Sequence, residues 1–146
     1  KKIFILGAGG VVPSIIFALR KLNVLQIIIS NRTKKKAENL RTQFSDLKIV
    51  EWGSIPDFDV VINATSLGLK NEIINLDFSN VDKNKLFYDV IYNPIETNFL
   101  KTGKILGNIG QNGTTMFIYQ AIEAFKLWHK IEPKINNDTL KLLNND

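Results

Sequence analysis

The sequence predicts a doubly wound α/β domain: a mostly parallel sheet of about six strands with helices on both faces. Three observations point there. Strand-like apolar runs are continuous rather than alternating, as in strands buried on both sides. Segments with apolar residues at helical spacing separate them. A glycine cluster, Gly7-Ala8-Gly9-Gly10, follows directly on the first run, Ile3-Phe4-Ile5-Leu6. At 146 residues, with 45% hydrophobic and 23% charged residues, the chain has the size and composition of one globular domain with a real core.

Ile3 to Leu6 is read as the first strand, from its β-branched and aromatic content. A helix follows over about 11–22, with Ile15, Ala18, Leu19 and Leu22 recurring on one side. Pro13 is acceptable there, because a first helical turn needs no donor from it. Leu25 to Ile29 reads as a second buried strand. Thr33 then stands as the N-cap of a helix running to about Phe44, with Ala37, Leu40 and Phe44 on one face. Leu47 to Trp52 reads as a third strand, Asp59 to Asn63 as a fourth, Leu86 to Val90 as a fifth and Ile105-Leu106 as a short sixth. The polar stretch Asn71 to Lys85 reads as a surface excursion. Thr115 to Lys130 carries the longest helical pattern, a short helix is expected over 137–143, and 144–146 form a frayed tail. Trp52, Phe99, Phe117, Phe125 and Trp128 are assigned to the core.

A strand turning into a helix through glycines lets backbone approach a ligand without a β-carbon in the way. The helix start adds unpaired N–H groups and the positive end of its dipole, which suit a pyrophosphate. Gly7 and Gly9 fit the first two places of the dinucleotide fingerprint, while Val12 occupies the third. An ordinary tight turn would use the same residues.

The end of the second strand distinguishes the cofactors. NAD sites place an acid there to accept hydrogen bonds from the ribose 2′-hydroxyl. This chain has Ser30-Asn31-Arg32-Thr33-Lys34-Lys35-Lys36, four cations within five positions and no carboxylate. Helix starts favour acids, so the cations call for another reason. Arg32 can bind a 2′-phosphate bidentately, and the expected cofactor is therefore NADP(H). A solvated charge run is the alternative.

Asn63-Ala64-Thr65-Ser66 follows the fourth strand, at a carboxyl end where doubly wound sheets bind ligands. It reads equally well as a polar turn. Tyr92 stands just after the fifth strand, stiffened by Pro94, either reaching a substrate carboxylate or half-buried in the core. Gln120 shares a helical stripe with Phe117, Ala121, Ala124 and Trp128, so its amide must find partners, from backbone or across a cleft. His129, near the negative end of its helix, needs no catalytic role.

Composition narrows the class. The chain has no cysteine and one histidine, so disulfides, thiolate or histidine metal sites and a Ser-His-Asp triad are not expected. No apolar run approaches ~18 residues, and no signal peptide is visible. A cytoplasmic location is expected, with no membrane partner. Net charge is +5 and the pI about 9.4, which favours anionic partners. No nucleic-acid-reading motif accompanies the charge, so no nucleic-acid partner is expected. The abrupt start at Lys1-Lys2 suggests a segment of something longer.

Taken together, the chain resembles the C-terminal, NADP-binding domain of the shikimate dehydrogenase family. The resemblance rests on Gly7-Ala8-Gly9-Gly10, Asn31-Arg32-Thr33, Asn63 through Gly68, Asp89-Val90-Ile91-Tyr92-Asn93-Pro94, and Asn112-Gly113 through Gln120-Ala121, in the family's order. It implies a Rossmann-like domain over 1–146 and reduction of 3-dehydroshikimate to shikimate with NADPH, in aromatic amino-acid biosynthesis. It also implies roles. Gly7, Ala8, Gly9, Gly10 and Val11 would form the diphosphate loop. Asn31, Arg32, Thr33 and Lys36 would hold the adenosine 2′-phosphate, with Lys36 where many members have arginine. Asn63, Ala64, Thr65 and Ser66 would line the cofactor side. Val90 and Gly113 would contact the nicotinamide half, and Tyr92 and Gln120 would reach the substrate. Thr115 and Val11-Val12-Pro13 depart from the family's usual glycine and small-residue run.

In the family, a lysine and an aspartate of an N-terminal substrate domain do the proton chemistry, and no residue here matches them. The chain alone is expected to bind NADP(H), to supply one wall of the substrate cleft and to turn over nothing. It would act as monomer or homodimer. The alternatives are a quinate/shikimate dehydrogenase, which would favour an acid at the second strand's end, and a non-catalytic NADP-binding module.

Overall fold

The computed structural model describes residues 1–136, and the expected 137–143 helix and frayed tail lie outside them. Ten elements follow one another: β1 (Lys2–Leu6), α1 (Val12–Lys21), β2 (Gln26–Ser30), α2 (Lys34–Gln43), β3 (Lys48–Val50), β4 (Val60–Asn63), β5 (Leu86–Asp89), α3 (Asn98–Ile105), β6 (Ile109–Gln111) and α4 (Thr114–His129). The strands form one sheet in the order β3-β2-β1-β4-β5-β6, parallel throughout. The chain winds outward through β2 and β3, then returns past β1 to continue through β4. The order therefore reverses between β1 and β4, and a crevice opens there at the carboxyl ends.

The central strand explains the two-faced core. Successive strand side chains point to opposite sides. Ile3 and Ile5 pack with Val12 and Ile16 of α1 and Ala37 and Leu40 of α2 on one face. Phe4 and Leu6 pack on the other face with Phe58, Phe78, Phe87 and, from α3, Phe99 and Leu100. Phe87 centres this second cluster, with ring centroids 5.2 Å from Phe99, 5.3 Å from Phe78 and 6.0 Å from Phe58.

Several sequence expectations change. The buried stripe of α1 is Val12 and Ile16 with Ile15 and Leu19 beside them, and Ala18 and Leu22 are exposed. Ile105-Leu106 is not a strand but the end of α3, a helix absent from the sequence expectations; the sixth strand is Ile109–Gln111. The 71–85 excursion is not purely superficial: Ile74 and Phe78 turn inward and are buried in the aromatic cluster. Phe99 is core as expected. Trp52 and Phe117 are only half-buried, Phe125 is exposed, and Trp128 is 78% exposed. No residue of α4 is buried, so its apolar stripe has no full cover among the described residues.

Candidate functional site

The carboxyl edge is organised by the turn after β1. Gly7 N–H donates to Ser30 O of β2 (2.8 Å), and Ala64 N–H after β4 donates to Leu6 O (2.8 Å). Gly7 adopts φ +113°, and a β-carbon there would stand 2.7 Å from Ala64 O, so backbone from three strands meets at a place only glycine fits. By contrast, β-carbons at Gly9 and Gly10 would meet nothing within 4 Å. That bare backbone faces open space at the mouth of the crevice. The turn closes with Val12 N–H donating to Gly9 O (3.1 Å). Val11 is the N-cap, no side chain caps α1, and no acid occupies its first turn. The helix's positive end is therefore uncompensated by protein.

At the end of β2, Ser30 is buried and its hydroxyl donates to Glu51 O (3.1 Å). Asn31 Nδ2 donates to Thr33 O (2.8 Å). Thr33 is the extended N-cap of α2 as expected, yet its hydroxyl caps no helix N–H. Arg32, Thr33 and Lys36 line a cavity of about 370 Å³ together with Gly7, Ala8, Gly9, Asn31, Ala64, Thr65 and Ser66. The basic run thus divides. Lys34 pairs with Glu51, which raises its pKa, while Arg32 and Lys36 face the cavity. Trp52 and Leu67 complete the lining, and neither is among the site residues expected from the sequence. No acid is among the residues lining this cavity, and Glu51, just beyond β3, is taken up by Lys34.

The β4 end is shaped by one buried side chain. Asn63 Nδ2 donates to Leu67 O (3.0 Å) and Asp89 Oδ1 (3.1 Å). Its Oδ1 accepts from Thr65 N–H (3.1 Å) and Thr65 Oγ1 (2.7 Å). Both ends of the amide are satisfied, so Asn63 folds the 63–67 loop without presenting itself to the cavity. Asp89, at the end of β5, is fully buried. It also accepts from Ile91 N–H (3.0 Å) and Thr97 Oγ1 (2.6 Å). Burial pushes its carboxyl pKa up, and those three donors only partly offset that. Thr97 in turn caps α3, accepting from Leu100 N–H (3.4 Å).

Farther along the edge, Val90 N–H donates to Asn63 O (3.0 Å) and Gly113 N–H to Ile91 O (3.0 Å). A β-carbon on Gly113 would lie 2.1 Å from Val90 O, so the start of α4 presses directly on the β5 loop. Tyr92 is 40% exposed and stacks on Phe117 of α4, with centroids 4.3 Å apart. Gln120 is exposed one turn beyond Phe117 on the same side of the helix. Tyr92 and Gln120 stand outside the cavity that Arg32 and Lys36 line. Among the described residues, no group of three His, Cys, Asp or Glu could hold a metal. His129 ends α4, packed against Phe125 at 4.4 Å. Among them, too, no helix is long and apolar enough to cross a membrane.

An all-parallel sheet in this order, with a glycine turn at its switch point and cations at the end of β2, defines a Rossmann-like α/β domain. The chain belongs to the shikimate/quinate dehydrogenase family. The family described as Shikimate / quinate 5-dehydrogenase matches residues 1–95, and the Shikimate 5′-dehydrogenase C-terminal domain matches 113–136. Shikimate dehydrogenase (NADP(+)) of Pelagibacter ubique is 55% identical over 144 residues, covering 98% of this chain and 54% of that protein. The crystal structure of shikimate dehydrogenase from Aquifex aeolicus superposes with a TM-score of 0.80 at 32% identity, over 100% of this chain and 54% of the other. The Thermus thermophilus enzyme in complex with NADP(H) and shikimate gives 0.82 at 28% identity, over 98% of this chain and 54% of the other. The chain thus spans about half the length of the relatives it matches.

Proposed function

We propose that this chain is the NADP(H)-binding half of a shikimate dehydrogenase, an oxidoreductase interconverting 3-dehydroshikimate and shikimate. The carrying observation is the cavity itself: bare glycine backbone at one end, Arg32, Thr33 and Lys36 at the other, and no free acid between them. A dinucleotide with an extra phosphate matches that distribution of N–H groups and cations. The names of the relatives support the same cofactor and substrate.

In this reading Gly7, Ala8, Gly9, Gly10 and Val11 cradle the diphosphate. Gly9 and Gly10 are the positions where a β-carbon would project into its space. Asn31, Arg32, Thr33 and Lys36 bind the 2′-phosphate, and the uncommitted Thr33 hydroxyl is available to it. Ala64, Thr65 and Ser66 line the crevice wall, with Asn63 holding their loop in shape. Val90 and Gly113 border the nicotinamide half, while Tyr92 and Gln120 stand toward the substrate. The cofactor supplies the hydride. The chain's residues bind and orient it. The proton for the developing alkoxide comes from the half of the enzyme that this chain does not span. An acid-free β2 end favours NADP(H) over NAD(H), and with it shikimate rather than quinate dehydrogenation. Calorimetric titration of the chain with NADP⁺ and NAD⁺ tests this: much tighter NADP⁺ binding is expected, and equal affinities would sink it.

A further inference from the structure

We propose that Trp52 is the stacking wall for the adenine base of the bound nucleotide. This rests on the NADP(H) reading and adds to it the residue that recognises the base. Trp52 lies two residues beyond β3, whose last residue, Val50, pairs with Ser30 at the end of β2. The Ser30 hydroxyl bond to Glu51 O fastens the chain immediately before it. Trp52 therefore follows the strand next to β2 and shares a cavity lining with Asn31, Arg32 and Thr33.

The packing of Trp52 is two-sided. Part of it rests on the core cluster of Phe4, Leu6 and Ile28, and it also lines the cavity that Arg32 and Lys36 share. It is the one aromatic side chain among the residues lining that cavity. The sheet places the parts in sequence: glycine turn at β1, cations at β2, indole at β3.

The ligand's covalent geometry then fixes the base. The 2′-phosphate and the adenine occupy adjacent ribose carbons, so they must fall side by side. If the diphosphate lies over Gly7–Gly9 and the 2′-phosphate is gripped by Arg32 and Lys36, the base continues outward, toward β3. There it meets a flat π-face anchored from behind by the core. Such a face is preorganised, because the packed indole has little freedom left to lose. Stacking is indifferent to base hydrogen-bonding pattern, so selectivity for the extra phosphate stays with the cations.

The chain's two tryptophans make this directly readable. Trp128 is on α4, largely exposed and outside the cavity lining. In the 146-residue chain carrying Trp128→Phe, indole emission reports Trp52 alone. Titration with adenosine 2′,5′-bisphosphate is expected to change that emission saturably, at the dissociation constant calorimetry gives. Nicotinamide mononucleotide, which lacks the base, should leave it unchanged. Trp52→Ala should weaken the bisphosphate by about tenfold or more. Trp52→Phe should retain most of the affinity, and both variants should keep the preference for NADP⁺ over NAD⁺. Calorimetric binding without any change in Trp52 emission would overturn the stacking role and leave the NADP(H) reading standing. So would unweakened binding by a folded Trp52→Ala chain. If the bisphosphate fails to bind at all, both readings fall.

Discussion

Arg32 and Lys36 show how a charge run becomes a site. Four cations occur within five positions, but β-sheet register decides which of them are available. Lys34 is drawn to Glu51 across the β2–β3 edge, and Arg32 and Lys36 are left facing the cavity. On the proposed reading, replacing Arg32 by alanine removes a planar fork from the 2′-phosphate. Charge-assisted hydrogen bonds contribute about 1.5–3 kcal/mol, so NADP⁺ affinity should fall roughly ten- to hundredfold. NAD⁺ affinity should hardly change, because NAD⁺ brings nothing for Arg32 to grip. Calorimetry on the parent and Arg32→Ala chains checks this, and a parallel loss for both cofactors would contradict it. The glycine turn and Arg32 were legible in the sequence because local spacing encodes them. The capture of Lys34 was not, since its partner lies seventeen positions away and meets it only once β3 is paired. Trp52 was hidden for a similar reason: an aromatic near a strand end reads as core until the neighbouring strand shows that one side is open.

Asp89 works at the scale of elements. Its carboxylate joins the β4 loop through Asn63, the β5 loop through Ile91 and the start of α3 through Thr97. The loops after β4 and β5 and the start of α3 are thus braced by one buried group. That brace escaped the sequence reading, as did α3 itself. Its eight residues, with a glycine among them, are too short a stretch to mark a helix by spacing alone. The strand assignments fared better, because β1, β2, β4 and β5 are continuous apolar runs that burial on both faces requires. Burial raises the Asp89 pKa in the folded chain. Below the unfolded value both states are protonated and the group is neutral in the balance. As pH climbs past that value the unfolded chain ionises first, so Asp89 costs stability until the folded pKa is passed, and the deficit then stays constant. Asp89→Asn cannot ionise and escapes this cost. The melting temperature of the variant relative to the parent should therefore rise from about pH 3.5 to pH 7. Carboxylates held low by nearby cations or N–H groups, such as Asp46, Asp57 and Glu96, are common to both chains and cancel. A difference independent of pH would show that folding leaves the Asp89 pKa where it stands in the unfolded chain, and would contradict the raised value.

For the whole molecule, α4 states the problem most clearly. Its helical stripe was evident from spacing, and Phe117, Phe125 and Trp128 were assigned to the core on that basis. Yet none of its residues is buried among the described part of the chain. Periodicity shows that a face is apolar, but not what covers it. The same helix begins at Gly113, tight against Val90, and carries Phe117 under Tyr92 with Gln120 one turn on. Its first half is fixed by the sheet edge, and its later residues look outward: Leu127 and Trp128 are 69% and 78% exposed. This chain spans 54% of the Pelagibacter ubique relative. On the proposed reading β1, β2 and β4 build the cofactor wall of the crevice, and Tyr92 stands outside the cavity they line. Hydride transfer to a ketone needs a proton delivered to the developing alkoxide within a closed, oriented site. Lys85, the lysine nearest the β5 strand, is directed to Asp57 at the amino ends of the strands, away from the crevice. If the proton donor belongs to the other half of the enzyme, as proposed, binding and turnover should separate. The 146-residue chain should bind NADP⁺ in a calorimeter. Mixed with NADP⁺ and shikimate, it should yield no NADPH absorbance above buffer. Measurable, saturable shikimate oxidation by this chain would mean that its own residues complete the chemistry, and the division of labour proposed here would be wrong.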